Sequence, residues 1–508
     1  MSKTIIIIGA GLAGLSAALQ AAENGCNVKL VSSLPSERAQ SVMAEGGINA
    51  ALNTKDENDS PEEHFTDTIK AACGLADPNA VWGMTQAAPE LVHWLLKLGV
   101  KFNMSGYDDV DLRNFGGQKK KRTAFAQSDT GKQIMTAMID AVRRKEASGM
   151  VERFSHHSFL TLRLCGNICC GCVIRDEYSQ ETVELPGDAV IVATGGMHGL
   201  FGNTTGSLSN TGEVTAELFR LGVPLANGEM IQYHPTTVKC GGKRMLISEA
   251  ARGEGGRLFA MKDGKQWYFM EEKYPELGNL MPRDITAREI WKVSHESEVF
   301  LDMTEISEEI ISNKLSGLAD DCMTYLHKDI RKEPVSVLPG IHYFMGGILV
   351  DEQHRTPIQN LCAAGECCAQ YHGANRLGGN SLLGALYGGR VAAKSACEQA
   401  DVVDLSCATQ IDFPPASQIS EIKQLNKVMQ VTMGVVRNEN TLLNGIQTVQ
   451  ALTGNLPLLG MAVLKSALAR KERRGAHWRE DYPKSNDDDY LKTTVARFDG
   501  KQIQISFV

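Results

Sequence analysis

The stretch Thr4-Ile5-Ile6-Ile7-Ile8-Gly9-Ala10-Gly11-Leu12-Ala13-Gly14 opens the chain and decides its fold class. Its first five residues form a continuous β-branched run, which predicts a strand buried on both faces. The glycines lead into a helix whose apolar residues recur at helical spacing and whose end is marked by Asn24-Gly25. A second strand follows from Asn27 to Val31. This βαβ unit predicts an α/β protein with a doubly wound, Rossmann-like sheet.

The glycine loop has the spacing of a dinucleotide-binding turn. Gly9 permits the tight turn, Gly11 lets a pyrophosphate approach the backbone, and Gly14 lets the helix pack on the strand. NAD and FAD sites usually also place an acidic residue at the end of the second strand to bind the ribose. Here that position holds Ser32-Ser33. The pattern weakens the NAD interpretation and leaves FAD open, because hydroxyl and backbone groups can also hold a ribose.

Two later segments repeat the pattern of a buried strand that ends in glycine. Asp188 to Ala193 is followed by Thr194-Gly195-Gly196, and Gln359 to Ala364 is followed by Gly365-Glu366. Ligands of open α/β sheets bind outside the carboxyl ends of the strands. We therefore expect segments far apart in sequence to converge on one cofactor.

Composition excludes several classes of protein. The chain has 508 residues, 43% of them hydrophobic, and a formal net charge of -8, which argue for a globular protein that does not bind nucleic acid. Its basic run, Lys119 to Arg122, is interpreted as a solvated loop. The longest apolar runs are strand-length, so no direct membrane span is expected. Met1-Ser2-Lys3 leads straight into the first strand without an export signal, which predicts a cytoplasmic protein, with any membrane association arising through partner subunits.

A cluster of cysteines resembles a metal site only at first sight. Cys165, Cys169, Cys170 and Cys172 do not form two CxxC pairs, the usual spacing of zinc and iron–sulfur ligands. Gly166-Asn167 suits a hairpin turn between flanking strands. We predict that these cysteines are structural and that the chain has no metal site.

The residue pattern changes twice in the rest of the chain. Residues 236–345 are rich in glycine turns and short amphipathic stretches, which suggests an inserted domain of mixed α+β structure. A linker is expected from Cys407 to Ser417, followed by helical periods from Ile419 to Ala469. Asp499-Gly500 marks a closing hairpin.

A series of motifs then occurs in a characteristic order. They are Ser41 to Ala51, Gln232 to Thr236, Glu249 to Gly256, Arg283-Asp284, His342 to Gly347, Gly365-Glu366, His372 to Leu382 and Arg474 to Asp481. Together they resemble the flavoprotein subunit of fumarate reductase and succinate dehydrogenase, a family that also includes L-aspartate oxidase. The resemblance runs from residue 4 to about 400 and resumes in the helical region.

The resemblance implies bound FAD and assigns the domains. Residues 1–235 and 346–405 would form a Rossmann-like FAD-binding domain, 236–345 an inserted α+β capping domain that closes over substrate, and 418–508 a C-terminal helical domain. Most membrane-bound relatives bind FAD covalently through a histidine, whereas this chain has Gln40, so the flavin is expected to be noncovalent. The implied FAD contacts are Gly9, Gly11, Ala13, Gly14, Ser32, Ser41, Gly46, Gly47, Glu213, Glu366, Ser381 and Leu382.

The resemblance also implies a reaction, the reduction of fumarate to succinate by hydride transfer from flavin N5. Arg376 and His342 would hold one carboxylate, and His234 and Ser248 the other, because an Arg fork bonds both carboxylate oxygens. Arg283 would deliver the proton, although a free guanidinium is a poor acid. The implied proton relay consists of Glu249 and Arg252, which share one face if that segment is helical.

Several alternatives remain open. L-aspartate oxidase places a glutamate where this chain has Phe115, which favours a fumarate or succinate enzyme. The Gly384 to Arg390 loop departs from the usual family pattern, so another enoate is a second candidate substrate. A non-catalytic flavin-binding assembly subunit is a third. The chain has no haem motif, iron–sulfur spacing or second nucleotide motif, and Arg474 to Asp481 resembles the part of the family that pairs with an iron–sulfur subunit, so we expect such an electron-transfer partner.

Overall fold

The structure is a computed structural model that describes residues 2–106, 109–399, 413 and 418–508. The described strands are β1 (Thr4–Ile8), β2 (Asn27–Ser32), β3 (Ile48–Asn49), β4 (Leu112–Arg113), β5 (Thr123–Ala124), β6 (Val151–Ser155), β7 (His157–Cys165), β8 (Ile168–Asp176), β9 (Thr182–Pro186), β10 (Ala189–Val192), β11 (Leu225–Ala226), β12 (Ile231–Cys240), β13 (Lys243–Leu246), β14 (Arg257–Lys262), β15 (Lys265–Trp267), β16 (Val299–Asp302), β17 (Val335–Ser336), β18 (Leu338–Phe344), β19 (Gly347–Leu349), β20 (Leu361–Ala363), β21 (Cys368–Ala369), β22 (Thr494–Phe498) and β23 (Ile503–Phe507). The described helices are α1 (Leu12–Glu23), α2 (Pro61–Ala71), α3 (Pro78–Leu98), α4 (Thr130–Ala147), α5 (Glu213–Arg220), α6 (Glu249–Gly253), α7 (Phe269–Lys273), α8 (Arg283–Val293), α9 (Glu308–Lys314), α10 (Ser316–Asp321), α11 (Asn380–Gln399), α12 (Ile419–Thr432), α13 (Glu439–Val449), α14 (Asn455–Ala469) and α15 (Asp487–Tyr490).

A five-stranded parallel sheet in the order β20-β10-β1-β2-β6 forms the centre of the part predicted to bind FAD. It confirms the predicted βαβ unit and places β10 beside β1 and β20 beside β10, with Ile5 opposite Ala189 and Val190 opposite Leu361. An apolar core packs α1, α4 and α11 against this sheet. The carboxyl ends of three strands distant in sequence therefore meet at one edge, as expected.

The inserted region joins the FAD-binding part through a small antiparallel sheet. β12 pairs with both β13 and β18, so the chain enters and leaves the insertion on hydrogen-bonded neighbours. The predicted boundaries at 235/236 and 345 lie within or next to these strands. The local sequence pattern does not show that the segments entering and leaving the insertion pair with each other. Beyond them, β15-β14-β16-β17 form a four-stranded sheet over an apolar core of its own, in agreement with the α+β prediction.

The carboxyl-terminal region contains the three predicted helices α12, α13 and α14, which share one apolar core with Leu200 and Phe201. The predicted hairpin at Asp499-Gly500 is present as β22 and β23. β22 also pairs with β11, so this region is joined by backbone hydrogen bonds to the FAD-binding part. The predicted linker, Cys407 to Ser417, lies outside the described residues except for position 413.

The interpretation of the basic run as a solvated loop was wrong for its last residue. Arg122 is completely buried and pairs with Asp59 at 2.8 Å and with Asp67 at 3.0 Å. A buried charge requires such partners, and these carboxylates come from a segment about 60 residues away, which the local pattern does not show. Lys119 and Lys121 are exposed, as expected.

The cysteine-rich segment forms the hairpin of β7 and β8 around the Gly166-Asn167 turn. Cys169, Cys170 and Cys172 are buried in it. Within the described residues, no group of three or more His, Cys, Asp or Glu side chains is arranged to hold a metal ion. In the same ranges, no helix is both long and apolar enough to cross a bilayer.

Candidate active site

A cavity of about 1010 Å³ lies between the carboxyl edge of the parallel sheet and the inserted region. All the predicted site residues line it except Gly14 and Arg252, which lie directly behind its wall. The tertiary structure thus gathers into one space residues that are spread from position 9 to position 382. The volume is at the upper end of the usual range for ligand sites, which suits a dinucleotide together with a small substrate.

The glycine loop at one end of the cavity is built without room for side chains. A Cβ at Gly14 would lie 1.8 Å from the carbonyl oxygen of Gly9, so the helix packs directly on the turn. Gly9 itself has a φ of +112°, and a Cβ there would lie 2.3 Å from the carbonyl oxygen of Ala193. α1 has no side-chain cap and no acidic residue in its first turn. Its positive end therefore remains available for a phosphate.

Other groups around the cavity fit the rest of an FAD molecule. The Ser32 hydroxyl is buried and has no hydrogen-bond partner among the described residues, as expected of a group that binds a ribose. Ser41 accepts a hydrogen bond from the backbone N–H of Leu12 at 3.3 Å and so anchors the turn beside the glycine loop. The residues present therefore fit the cofactor.

The remaining predicted cofactor residues surround the same space. Glu366 accepts a hydrogen bond from the backbone N–H of Phe344 at 3.1 Å. Glu213 begins α5, and burial raises the pKa of its carboxyl. A Cβ at Gly46 would lie 2.7 Å from the Phe115 ring, so the turn packs flat against that ring. The others of this set that line the cavity are Gly11, Ala13, Gly47, Ser381 and Leu382.

At the other end, Arg283, Glu249 and Arg252 form a buried chain. Arg283 begins α8 and donates to one oxygen of Glu249 from Nε at 2.8 Å and from Nη2 at 2.6 Å. Arg252 donates to the other oxygen at 3.3 Å, one turn along α6 as the spacing predicted. Arg252 also donates to the carbonyl of Asn279 at 2.7 Å. Two guanidiniums thus flank one carboxylate.

The electrostatics of this chain keep Glu249 ionised. Burial alone would raise the pKa of its carboxyl, but the guanidiniums of Arg283 and Arg252 outweigh burial and hold the pKa below its ordinary value. Arg376 contributes in the same direction from the opposite wall. Because Glu249 and Glu366 together can balance at most two of these three cations, the site carries excess positive charge.

Arg376 is the clearest source of that excess. It is 3% exposed, its Nε has no hydrogen-bond partner, and no ion pair joins it to a carboxylate in the described part of the chain. Its guanidinium carbon lies 4.3 Å from the centre of the Tyr343 ring. Burial, together with Arg283, lowers the pKa of Arg376 to about 9. A buried, unpaired cation beside a cavity indicates that the missing partner is an anionic ligand.

Two histidines and a serine complete this wall. The rings of His234 and His342 lie 5.1 Å apart, on the paired strands β12 and β18. Burial, with Arg283 nearby, holds the pKa of each histidine well below its ordinary value, so both rings are neutral. Ser248 caps α6 by accepting the backbone N–H of Ala250 at 3.4 Å, and its side chain also hydrogen-bonds the Glu45 carboxyl.

Two further residues contribute that the sequence interpretation did not single out. Gln232 accepts from Arg283 Nη1 at 3.1 Å and donates to the carbonyl of Arg376 at 2.8 Å, so it connects the two cationic walls. Glu45 lines the cavity, and burial together with Asp321 raises the pKa of its carboxyl to about 8. Both occur in the quoted motifs, but only the fold shows what they contact.

Comparisons with known proteins agree with this site. A sequence-family model described as "FAD binding domain" matches residues 4–382, and one described as "Fumarate reductase flavoprotein C-term" matches residues 453–507. The chain is 39% identical to the succinate dehydrogenase flavoprotein subunit of Bacillus subtilis, over 97% of this chain and 94% of the relative. It is 32% identical to the 8-methylmenaquinol:fumarate reductase flavoprotein subunit of Wolinella succinogenes, over 98% and 89%.

A solved structure supports the same assignment. The chain superposes on a mutant FrdA subunit of E. coli quinol fumarate reductase with a TM-score of 0.90 and 27% identity, covering 100% of this chain and 96% of the other. The fold, the family matches and the cavity all agree with the resemblance seen in the sequence motifs. The chain therefore belongs to the succinate dehydrogenase and fumarate reductase flavoprotein family of FAD-dependent oxidoreductases.

Proposed function

We propose that the protein reduces fumarate to succinate in a reversible reaction. The observation that carries this proposal is the charge imbalance of the site, in which Arg283, Arg252 and Arg376 outnumber the carboxylates of Glu249 and Glu366 that act on them. A dicarboxylate brings two negative charges, which would compensate the cations that Glu249 leaves unbalanced.

The two carboxylates of the substrate have different partners in this proposal. Arg376 and His342 hold one, with the guanidinium fork bonding both oxygens. His234 and the Ser248 hydroxyl hold the other. Both histidines are neutral, so each has one ring N–H to donate and leaves the charge compensation to the arginines. Phe115, 2% exposed, forms an apolar wall that helps to exclude water.

Reduction of the double bond requires a hydride at one carbon and a proton at the other. Bound FAD, once reduced by the electron partner, would supply the hydride. Arg283 delivers the proton, and its two hydrogen bonds to Glu249 orient the guanidinium toward the cavity. Glu249 and Arg252 then return a proton to Arg283 along the buried chain. The positive charge around the substrate also stabilises the enolate-like charge that develops before protonation.

We further propose that the flavin is held without a covalent bond and that this favours reduction. Gln40 stands where most membrane-bound relatives have the linking histidine, and its side-chain oxygen accepts the backbone N–H of Ser207 at 2.6 Å. A carboxamide engaged in this way cannot form the linkage. Acid precipitation should release all of the flavin into the supernatant, and flavin that remains with the polypeptide would contradict this assignment.

Residues 236–345 are proposed to act as the capping domain. They are inserted between the two parts of the FAD-binding domain, 1–235 and 346–405, and the C-terminal domain follows at 418–508. Arg283, Glu249 and Ser248 belong to the cap, whereas Arg376 belongs to the FAD-binding part. The catalytic set is therefore complete only when the two parts are together, and closure would exclude water from the reaction.

An iron–sulfur subunit is the proposed electron partner. The relatives from Bacillus and Wolinella are named as flavoprotein subunits, which implies that they assemble with other chains. In the Arg474 to Asp481 motif, Arg479 is fully buried and pairs with Asp481 at 2.7 Å. These buried residues would lie beneath the surface that docks the iron–sulfur subunit and would hold that surface in shape. Purification of the tagged protein from its own cells should recover an iron-containing partner.

A dye-linked assay of the FAD-loaded protein tests the reaction. Reduced dye should be oxidised by fumarate, and Arg283→Ala should abolish this turnover while retaining FAD. Turnover of L-aspartate with release of hydrogen peroxide would favour the oxidase alternative, and preference for a different unsaturated acid would favour another enoate. Absence of turnover with every substrate would favour an assembly role.

A further inference from the structure

Two adjacent threonines in the loop before α5 each bond a histidine ring. Thr204 Oγ1 lies 3.0 Å from His198 Nδ1, and Thr205 Oγ1 lies 2.8 Å from His342 Nδ1. Only the second pair lines the cavity. The Thr205 hydroxyl is therefore in a position to control how His342 meets a ligand.

The hydroxyl proton of Thr205 has two possible acceptors. One is His342 Nδ1 at 2.8 Å, and the other is the carbonyl of Ile341 at 3.4 Å. The second distance exceeds the usual range for a hydroxyl donor. That carbonyl already accepts the backbone N–H of Thr205 at 3.0 Å. The short contact to the ring is therefore the favoured one, and Nδ1 accepts.

This contact matters because a neutral imidazole carries only one N–H. Burial, together with the guanidiniums of Arg283 and Arg376, keeps His342 neutral. If Nδ1 accepts from Thr205, the ring proton lies on Nε2, which has no hydrogen-bond partner among the described residues. A carboxylate can only accept hydrogen bonds, so it binds to a ring with Nε2–H and is repelled by a bare Nε2 lone pair.

The other histidine of the site has only a long contact of this kind, because the Thr236 hydroxyl lies 3.5 Å from His234 Nδ1 and donates to the carbonyl of Ile247 at 2.8 Å. His234 Nδ1 lies 3.1 Å from the carbonyl oxygen of Thr236 and 3.3 Å from its backbone N–H. One contact requires a proton on Nδ1 and the other requires a lone pair. Local bonding therefore leaves the His234 tautomer open, whereas Thr205 determines the tautomer of His342.

We propose that Thr205 is a positioning residue that holds His342 as an Nε2–H donor toward a substrate carboxylate. The inference rests on the proposed dicarboxylate function. It adds a residue outside the quoted motifs, which acts only through the histidine. The Thr205 hydroxyl controls the tautomer of His342, and the Thr205 methyl group does not.

Thr205→Val and Thr205→Ser separate the hydroxyl from the shape of the side chain. In the FAD-loaded enzyme, malonate binding followed by flavin absorbance should weaken about tenfold or more in Thr205→Val, since the lost hydrogen bond is to a charged group. Thr205→Ser should bind within about twofold of the parent. KM for fumarate should rise in Thr205→Val more than kcat falls. Equal affinity in Thr205→Val and the parent, or equal weakening in both variants, would overturn the proposal.

A second measurement needs neither a dicarboxylate nor a Thr205 variant. Nuclear magnetic resonance of ¹⁵N-histidine-labelled holoenzyme, with His342 assigned through His342→Gln, should show the Nε2–H tautomer in the ligand-free parent. A proton on Nδ1 would refute the role of Thr205, even if malonate binds. The Nε2–H tautomer in a protein that binds no dicarboxylate would instead refute the proposed function and leave the control of the ring intact.

Discussion

Replacing Arg376 with methionine removes the buried cation for which the described residues provide no carboxylate partner. The side chain is 3% exposed, and its pKa is lowered by burial and by Arg283, so its charge is costly until an anion arrives. Methionine is of similar length and fills the space with apolar atoms. Two opposite effects should follow, a loss of substrate binding and a gain in stability.

The size of the binding effect follows from the charge that is removed. A carboxylate about 4 Å from a guanidinium gains about 4 kcal/mol at an effective dielectric constant of about 20. Losing most of that interaction lowers kcat/KM for fumarate by about 100- to 1,000-fold. Arg376→Lys keeps the charge but loses the fork, so its loss should be smaller, about 10- to 100-fold.

The stability effect has the opposite sign, because removing an uncompensated buried charge relieves its desolvation cost. The Tm of Arg376→Met with FAD bound should therefore be higher than that of the parent. Arg257→Met is a matched control, since Arg257 forms a partly exposed pair with Glu271 at 2.6 Å and does not line the cavity. It should leave kcat/KM unchanged.

Dye-linked kinetics and differential scanning calorimetry on the same FAD-loaded samples measure both effects. If Arg376→Met retained kcat/KM within about threefold of the parent, or if its Tm fell with FAD still bound, the reasoning from the unpaired charge would be refuted.

Three further perturbations test other parts of the structure. Gly14→Ala should abolish FAD binding, measured as the flavin-to-protein ratio, because its Cβ would lie 1.8 Å from the carbonyl oxygen of Gly9. The pKa of Glu45 is raised from 4.5 to about 8, so the folded protein holds this proton up to about pH 8 whereas the unfolded chain loses it near pH 4.5. Stability should therefore fall between about pH 4.5 and 8 and level off above 8, malonate affinity should weaken as pH rises through 8, and Glu45→Gln should remove both effects in melting and binding profiles. Arg122→Met should lower the free energy of unfolding by about 3–5 kcal/mol, measured by denaturant titration, since two buried carboxylates lose their partner; an unchanged midpoint would show that this pair is not structural.

The FAD-binding part was predictable to a large extent because its signals are local. A β-branched run, a glycine turn and a helix stop lie within one short stretch, and each follows from backbone sterics. The strand ends at Ala193 and Ala364 carry the same signals, and the sheet brings them to the same edge as the end of β1, as predicted. The spacing of Glu249 and Arg252 likewise predicted an ion pair on one helical face.

Charge state and burial were not predictable in the same way. Arg122 looks like part of a solvated run, yet it is buried between carboxylates supplied by another segment. Gln232 has no distinctive local signal, yet it connects Arg283 to the backbone at Arg376. Both depend on neighbours far along the chain, which a local pattern does not specify.

The sequence by itself determined the cofactor class and the family, because glycine turns, strand patterns and ordered motifs depend on short-range geometry. Only the tertiary structure decided which charges are paired and which ring nitrogen carries a proton. Arg283 meets Glu249 across 34 residues, and Thr205 meets His342 across 137. Pairing and tautomer depend on such distant contacts and on exclusion of water, and both arise only when the chain has folded.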